Sequence, residues 1–407
     1  MIVCSIDLMG GKAVQLRQGK THVLTSDRNP IELAREFNRY GEVAVIDLDA
    51  ALGQGDNLDL IRQLCRVADV RAGGGIRDAK RAELLLRAGA RKIIVGTAAT
   101  PELLSQFAPE RVMVALDHKG GEVVDKGWTQ GTGETILARA ERVAPYCSGF
   151  LCTFVESEGG MGGLPLEEAM ALAKQLPRPV TVAGGVATTE EAVTISRQGL
   201  DVQVGMALYT GKLDPVTSVV ESLDFEKVGL IPTIVQDTAG QVLMLAYSSK
   251  ESLTKALSEG KGIYFSRSRN EIWEKGKISG HMQELVSARV DCDRDAVLFT
   301  VRQTGPACHT GTHSCFGEGR FSIAGLFETL KARKENLPEG SYSAKLFTNR
   351  KLLLRKLMEE AYEVVSAENF EELRWEIADS LYFMSLLAVS EGLEWSDIVG
   401  ELGGRHK

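Results

Sequence analysis

Residues 5–14 read Ser-Ile-Asp-Leu-Met-Gly-Gly-Lys-Ala-Val, and residues 115–124 read Ala-Leu-Asp-His-Lys-Gly-Gly-Glu-Val-Val. Each decamer is an apolar run, then an aspartate, then a Gly-Gly turn, and the two aspartates, Asp7 and Asp117, lie 110 residues apart. A second pair of segments keeps that spacing. Ala72-Gly-Gly-Gly-Ile76, with Val95-Gly96 after it, is echoed by Ala183-Gly-Gly-Val186, with Val204-Gly205 after it, so that Gly75 and Gly185 are again 110 apart. Strand-like apolar runs at 2–6, 43–48, 92–95, 112–116, 150–154, 179–182 and 202–204 alternate with amphipathic segments such as 31–40 and 79–88. Strands alternating with helices indicate a parallel α/β sheet. A duplicated unit of four βα repeats predicts a closed TIM (β/α)8 barrel over residues 1–221.

The repeat has chemical content. Such barrels place their sites at the C-terminal ends of the strands, where Asp7 and Asp117 are expected. A glycine turn between a strand and a helix exposes backbone amides that can hold a phosphate. Two such turns facing each other suit a substrate with a phosphate at each end, and two carboxylates between them suit paired acid–base work. Singly, a glycine turn or an Asp before Gly-Gly is an ordinary turn former; the paired recurrence is what favours a site.

On these residues the segment resembles the phosphoribosylformimino-AICAR-phosphate (ProFAR) isomerases of histidine biosynthesis. The resemblance rests on Ile6-Asp-Leu with Gly11-Lys12, Asp47-Leu-Asp with Ala51, Gly73-Gly-Gly-Ile-Arg77, Asp117 with Gly120-Gly121, Lys126-Gly-Trp128 and Gly205-x-Ala-Leu-Tyr209. It implies an Amadori rearrangement of an aminoaldose to an aminoketose. By the same resemblance Asp7 is the general base, Asp117 the general acid that opens the ribose, Trp128 stacks on the substrate, Arg17 contacts it, and Thr153 lies in the cleft. Gly74, Gly75, Gly96, Thr97, Gly184, Gly185 and Gly205 hold the substrate. One stretch departs: where the family reads Asp-Gly-Thr, this chain has Glu158-Gly159-Gly160. An acid is kept, one methylene longer, and a hydroxyl is lost. A misplacement of about 1 Å can cost roughly a hundredfold in rate. The related cyclase barrel of the same pathway is the nearest alternative.

From residue 222 the pattern changes. A hairpin at 229–236 and 242–247 opens a mixed, β-rich domain, expected at 222–321. Its densest stretch is 291–316, Asp-Cys-Asp-Arg-Asp at its start and Cys308, His309, His313 and Cys315 toward its end. Carboxylates suit Mg²⁺ and thiolates suit Zn²⁺, and three thiolates without a fourth protein ligand match a catalytic zinc that keeps a position for water. Alternation along a strand places Asp291, Asp293 and Asp295 on one face and Cys292 on the other. The segment resembles phosphoribosyl-AMP cyclohydrolase through Leu230-Ile-Pro, Val242-Leu-Met-Leu-Ala-Tyr247, Tyr264-Phe-Ser-Arg-Ser-Arg269, Trp273-x-Lys-Gly276, Ser279-Gly-His281, Asp291-Cys-Asp-x-Asp295 and Gly305-Pro-Ala-Cys-His-Thr-Gly311 with Ser314-Cys-Phe316. That resemblance implies opening of an N1-substituted adenine ring by water. Cys292, Cys308 and Cys315 are the zinc ligands, shared across a dimer, and Asp291, Asp293 and Asp295 bind Mg²⁺. His281 and His309 are proton-transfer candidates, and Arg267 and Arg269 are candidates for phosphate.

Residues 322–407 read as helices over 322–336, 352–367 and 370–391, with Leu373, Ile377, Leu381, Met384 and Ala388 as the core stripe of the last. Glu359, Glu360 and Glu363 fall within one turn, and Glu376 and Asp379 within one turn of the next helix. Clustered carboxylates repel unless a cation compensates them, so Mg²⁺ is the expected occupant. With Gly340-Ser-Tyr-Ser-Ala-Lys-Leu-Phe347 before them, these helices resemble the all-α phosphoribosyl-ATP pyrophosphohydrolases. The resemblance implies cleavage of an α–β phosphoanhydride, with Lys345 on phosphate and Arg355 and Lys356 assisting.

The bulk numbers agree with a multidomain enzyme of small substrates. The chain has 407 residues, 25% charged, with net charge -8, which argues against nucleic acid as a general partner. Seven cysteines form no dense framework, no apolar run reaches membrane-spanning length, and a reducing cytoplasm is expected. The three resemblances name successive steps, so the expected protein is a trifunctional, ATP-derived-nucleotide enzyme using Zn²⁺ and Mg²⁺ and dimerising through its central and C-terminal domains. The alternatives are a bifunctional hydrolase whose barrel serves binding or assembly, and a general nucleotide-cleansing pyrophosphohydrolase.

Overall fold

The computed structural model describes residues 1–407 apart from 18–20, 126–127, 129, 161, 318–320 and 405–407. The Lys126-Gly127 part of the motif ending in Trp128 lies outside the described residues. The chain divides into two compact units, 1–318 with 400–407, and 319–399.

In the first unit eight parallel strands close on themselves: β1 (Ile2–Met9), β2 (Val43–Asp47), β3 (Val70–Gly73), β4 (Lys92–Val95), β5 (Val112–Lys119), β6 (Gly149–Phe154), β7 (Val180–Ala183) and β8 (Asp201–Val204). Each pairs with its sequence neighbour, and β8 pairs with β1. The strands are short Val/Ile/Ala runs buried on both faces, as a helix-covered parallel barrel requires. β1 and β5 run past their aspartates because each continues into an antiparallel hairpin.

The 110-residue repeat is visible in the register. Asp7 stands opposite Ile46 as Asp117 stands opposite Thr153. Ile94, Met113, Leu151 and Ala183 form a cluster of their own inside the strands. Toward the strands' N-terminal ends, buried Arg71 donates to Thr181 Oγ1 at 3.0 Å and pairs with Glu42 and Asp201. Asp201 also takes the Met1 ammonium at 2.8 Å. Charge closes that end, and the other end is left to the loops.

The rest of this unit is a four-stranded sheet in the order β10-β9-β14-β13 and a separate pair β11–β12. These strands are β9 (Ile231–Asp237), β10 (Val242–Ser248), β11 (Ile263–Ser266), β12 (Glu271–Glu274), β13 (Gln283–Val290) and β14 (Val297–Gln303). Helix Lys250–Glu259 packs on them, started by a Ser249/Ser252 capping box and ended by Gly260 at φ 68°. Residues 291–295 are not a strand, contrary to the sequence expectation. They form the tight turn between β13 and β14, with Arg294 at φ 63°. Five residues that must reverse the chain cannot alternate faces.

The second unit is helical: Ile323–Asn336, Tyr342–Phe347, Arg350–Ser366 and Phe370–Ser390 lie within it. Its core is Phe327, Leu330, Leu346, Leu353, Phe383, Leu386 and Val389. The expected core stripe is corrected here. Ala388 is buried, but Leu373, Ile377, Leu381 and Met384 are 38%, 44%, 43% and 51% exposed. The long helix has apolar residues around most of its girth, and the other helices cover only the face carrying Phe383, Leu386 and Val389. Among the described residues no helix is long and apolar enough to cross a membrane.

Candidate active sites

At the barrel mouth Asp7 is half-buried. The Ser5 hydroxyl donates to its Oδ1 at 2.9 Å, yet burial dominates and pushes its carboxyl up to about 6. Across the mouth the Trp128 indole N–H donates to Asp117 Oδ2 at 2.8 Å. The ring expected on the substrate thus holds the second aspartate, from a backbone at φ 65°. Thr153 is buried next to Asp117 on the adjacent strand. The glycine turns after β3 and β7 are positions where a side chain has no room. A Cβ on Gly75 would stand 2.6 Å from Ala50, and one on Gly185 2.6 Å from the Ser157 Cβ, both at positive φ. Gly96 and Thr97 follow β4, and Gly205 follows β8. After β6, Glu158 is half-buried, and Gly159 lies against the Arg17 backbone, its absent Cβ 2.8 Å from the Arg17 Cα. The loop that departs from the family pattern is therefore packed onto Arg17. Asp47 and Asp49 organise the neighbouring turn. Buried Asp47 pairs with Arg81 at 2.7 Å, and Asp49 accepts the Gly10 amide at 2.7 Å.

In the central sheet an open cleft of about 920 Å³ is lined by Tyr247, Arg267, Arg269, Trp273 and His309, among others. That volume is of the size that holds a small nucleotide. The Arg267 guanidinium lies 3.7 Å over the Tyr247 ring, and Arg269 6.0 Å over Trp273. Beside His309, the Cys308 Sγ is 3.1 Å from the Thr310 hydroxyl. Hydrogen bonds from Thr310 and Thr312 pull its thiol down to about 6, the range in which a thiolate is available at neutral pH. Cys315 is close enough to bond with Cys308 and is pushed up by burial and by that neighbour. The pKa of Lys275 is lowered by burial, and the charges of both sulfurs act against that shift. The His281 ring covers Gly305, where a Cβ would stand 2.7 Å away. Cys292 is exposed in the β13–β14 turn. Its sulfur does not join those of Cys308 and Cys315 in a three-ligand group within 4.8 Å. One chain therefore brings Cys308 and Cys315 together but not Cys292. Asp291, Asp293 and Asp295 do converge, each with one oxygen within 4.8 Å of the others. The thiolate pair fits zinc and the carboxylates fit Mg²⁺ by donor chemistry. Tyr247 and Lys275 were visible only as motif letters. Thr310, too, was visible only as a letter of the Gly305–Gly311 motif.

In the helical unit Glu360, Glu363 and Glu376 converge within 4.8 Å. Glu360 is buried and Glu359 exposed. Asp379 is half-buried and adds its negative charge to Glu376. Burial and the charges of Glu363, Glu360 and Asp379 raise the Glu376 carboxyl. Lys356, expected to assist at phosphate, bonds Glu359 at 2.9 Å and Glu360 at 3.0 Å. Its position three and four residues before them on one helix makes that contact local. Lys345 is exposed on its short helix. This carboxylate set also fits Mg²⁺.

Comparison with known proteins follows the same three segments. Residues 1–214 match the family described as histidine biosynthesis protein, 244–317 match phosphoribosyl-AMP cyclohydrolase, and 323–406 match phosphoribosyl-ATP pyrophosphohydrolase. The chain is similar to a histidine biosynthesis trifunctional protein of Kluyveromyces lactis, 45% identical over 180 residues, 44% of this chain and 23% of that protein. It is 41% identical over 205 residues to the histidine biosynthesis bifunctional protein HisIE of Halalkalibacterium halodurans, covering 46% of this chain and 97% of that one. The histidine biosynthesis bifunctional protein his7 of Schizosaccharomyces pombe is 34% identical over 358 residues, 86% of this chain and 84% of its own length. The chain spans about a quarter of the length of the trifunctional relatives it matches.

Proposed function

The chain belongs to the histidine biosynthesis protein family, and on that premise we propose that it carries three consecutive activities. Phosphoribosyl-ATP loses pyrophosphate at the helical carboxylates. Phosphoribosyl-AMP has its adenine ring opened at the central cleft. The resulting ProFAR aminoaldose is isomerised at the barrel mouth. The observation that carries this reading is the succession of three matched segments, each with its own candidate site, in an order that passes product to substrate.

Each site's residues suit its step. Asp7, held near 6, is ionised at neutral pH and close enough in basicity to take a proton α to an imine carbon. Asp117, kept in place by the Trp128 indole, supplies the acid on the opposite side. The glycine turns after β3 and β7 offer amides to the two phosphates. In the cleft, Arg267, stacked on Tyr247, and Arg269 hold the ribose phosphate. His309 and His281 move protons at the ring. Cys308 and Cys315 would hold zinc, which when bound supplies the Lewis acid that makes water nucleophilic near neutral pH. Asp291, Asp293 and Asp295, and separately Glu360, Glu363 and Glu376 with Glu359 and Asp379, would hold Mg²⁺, which compensates phosphate charge. Lys345 assists at the triphosphate.

The functional form is a homodimer in a reducing cytoplasm. Two observations support it. Within one chain Cys292 forms no three-ligand group with Cys308 and Cys315. The long helices also leave an apolar surface uncovered, with Trp375 68% and Phe370 75% exposed, and such patches mark protein interfaces.

The test is a mass-spectrometric time course with phosphoribosyl-ATP, Mg²⁺ and Zn²⁺. Accumulation of the aminoketose, separated by chromatography from its isobaric aldose, is expected. Arrest at the aldose leaves the two hydrolases and removes the isomerase, with the Glu158-Gly159-Gly160 loop as the first residues to restore.

A further inference from the structure

The aspartate turn already carries a cation of its own. The Lys227 ammonium lies 3.0 Å from Asp293 Oδ2 and 2.5 Å from Asp295 Oδ2. Lys227 belongs to the short helix Phe225–Val228, which leads from the barrel into β9. That helix falls between the segments 1–214 and 244–317 that match the two families. It is tied to the turn a second time, because the Asp224 N–H donates to the Arg294 carbonyl at 2.8 Å. The root of the turn is fastened to the barrel. Arg289 donates to the Asn38 carbonyl at 2.9 Å and pairs with Asp69 at 2.8 Å, and the Ala288 N–H donates to the Arg39 carbonyl at 3.1 Å. The frame of the turn is thus fastened on the barrel side, while the lysine bridges an exposed carboxylate, Asp293, and a half-buried one, Asp295.

Two cations cannot share these oxygens. Mg²⁺ binds carboxylate oxygen at about 2.0–2.1 Å in a strict octahedron and repels a nearby ammonium. We propose that Lys227 is an internal counter-ion that a divalent cation must displace. Metal binding at the aspartate turn and release of the linker helix are then one coupled equilibrium. The proposal rests on the reading of Asp291, Asp293 and Asp295 as a divalent-cation site. Its physical content is a trade. Without metal, the lysine relieves repulsion among three converging carboxylates and keeps the turn formed. With metal, part of the binding free energy goes into expelling the lysine. Linkage is reciprocal, so whatever loosens the linker tightens the metal.

The experiment uses the full chain with Zn²⁺ saturating and the helical acids disabled by Glu363→Gln and Glu376→Gln, so that Mn²⁺ bound at the aspartate turn is read by electron paramagnetic resonance. Lys227→Ala is expected to bind Mn²⁺ about three- to tenfold more tightly, the worth of two exposed ion pairs. Lys227→Arg, which keeps the competing charge, stays near the parent. The second readout is reductive methylation of Lys227 in the otherwise unmodified chain, followed by peptide mass spectrometry. Mg²⁺ is expected to speed it, while Lys250, paired with Glu221 at 2.8 Å, is unaffected. Equal Mn²⁺ affinity in the parent and Lys227→Ala, or Lys227 labelling indifferent to Mg²⁺, overturns the proposal and leaves the metal site standing. Mn²⁺ binding that survives Asp293→Asn overturns both.

Discussion

The aspartate turn and the glutamate helices each gather three carboxylates within 4.8 Å, but they answer the repulsion differently. In the turn, short side chains on five consecutive residues are neutralised by Lys227, 66 residues away from Asp293. On the helices, Lys356 neutralises only Glu359 and Glu360, its own helical neighbours. Among the described residues, no lysine or arginine forms an ion pair with Glu363 or Glu376, and burial and the charges of Glu363, Glu360 and Asp379 raise the Glu376 carboxyl. A turn can be reached by a cation from another segment. Carboxylates facing one another across two helices are screened by the helices themselves and wait for a small ion. The barrel's Asp7 is a third solution, a carboxylate with no ion pair among the described residues, raised by burial against the Ser5 hydrogen bond.

The sharpest way to break this comparison is Glu363→Gln. If the helical acids depend on a divalent cation, pyrophosphate release from phosphoribosyl-ATP should fall about 10³-fold, roughly 4 kcal/mol of charge stabilisation. Ring opening of added phosphoribosyl-AMP should be unchanged; a matched fall in both would mean the two carboxylate sets do not act separately. Next in size, Asp293→Asn should lower ring opening about 10²-fold, near 2.7 kcal/mol, and leave pyrophosphate release alone.

The third solution has a pH signature. Isomerisation kcat/KM should drop about tenfold per pH unit below the Asp7 value of about 6. The sign for stability is opposite to that of a salt-bridged acid. A carboxyl raised in the folded state loses its favourable contribution as pH climbs from the unfolded value, about 3.9, to the folded one. Asp7→Asn should therefore abolish isomerisation and stabilise the barrel by about 1–3 kcal/mol above pH 6, measurable by urea denaturation at pH 4 and pH 7. Destabilisation at pH 7 would mean that the Ser5 bond outweighs burial.

The smaller effects concern cations and heat. Mg²⁺ at about 100 times its Kd should stabilise the helical unit by about 2.7 kcal/mol. The shift in Tm should be larger at pH 8 than at pH 5, because the Glu376 carboxyl, raised by burial and its acidic neighbours, is more fully ionised at the higher pH. Lys356→Ala should cost the metal-free protein no more than about 1 kcal/mol, and calorimetry with EDTA would read it.

Much of this was legible without coordinates, for physical reasons that differ by segment. The barrel declared itself because its repeat recurs at fixed spacing, and the positions so marked, Asp7, Asp117, Gly75 and Gly185, stand at equivalent places in the register. The helical acids were legible because residues three and four apart share a face wherever the helix forms. The aspartate turn was found for a partly wrong reason: period-two alternation does not survive a chain reversal, and the carboxylates meet because the backbone curls. The expected core stripe failed because a helix apolar on several faces does not say which one its neighbours cover.

What the sequence determined by itself was whatever depends on short range: which runs are strands or helices, where glycine must turn the chain, which acids and thiols lie close along it. The tertiary structure alone decided which of those groups face one another. It put Lys227 onto Asp293 and Asp295, Trp128 onto Asp117 and Lys356 onto Glu359 and Glu360, and it did not gather Cys292 with Cys308 and Cys315. Contacts across tens of residues depend on how whole elements pack, and packing is set by shape and burial summed over the fold, which no local pattern encodes.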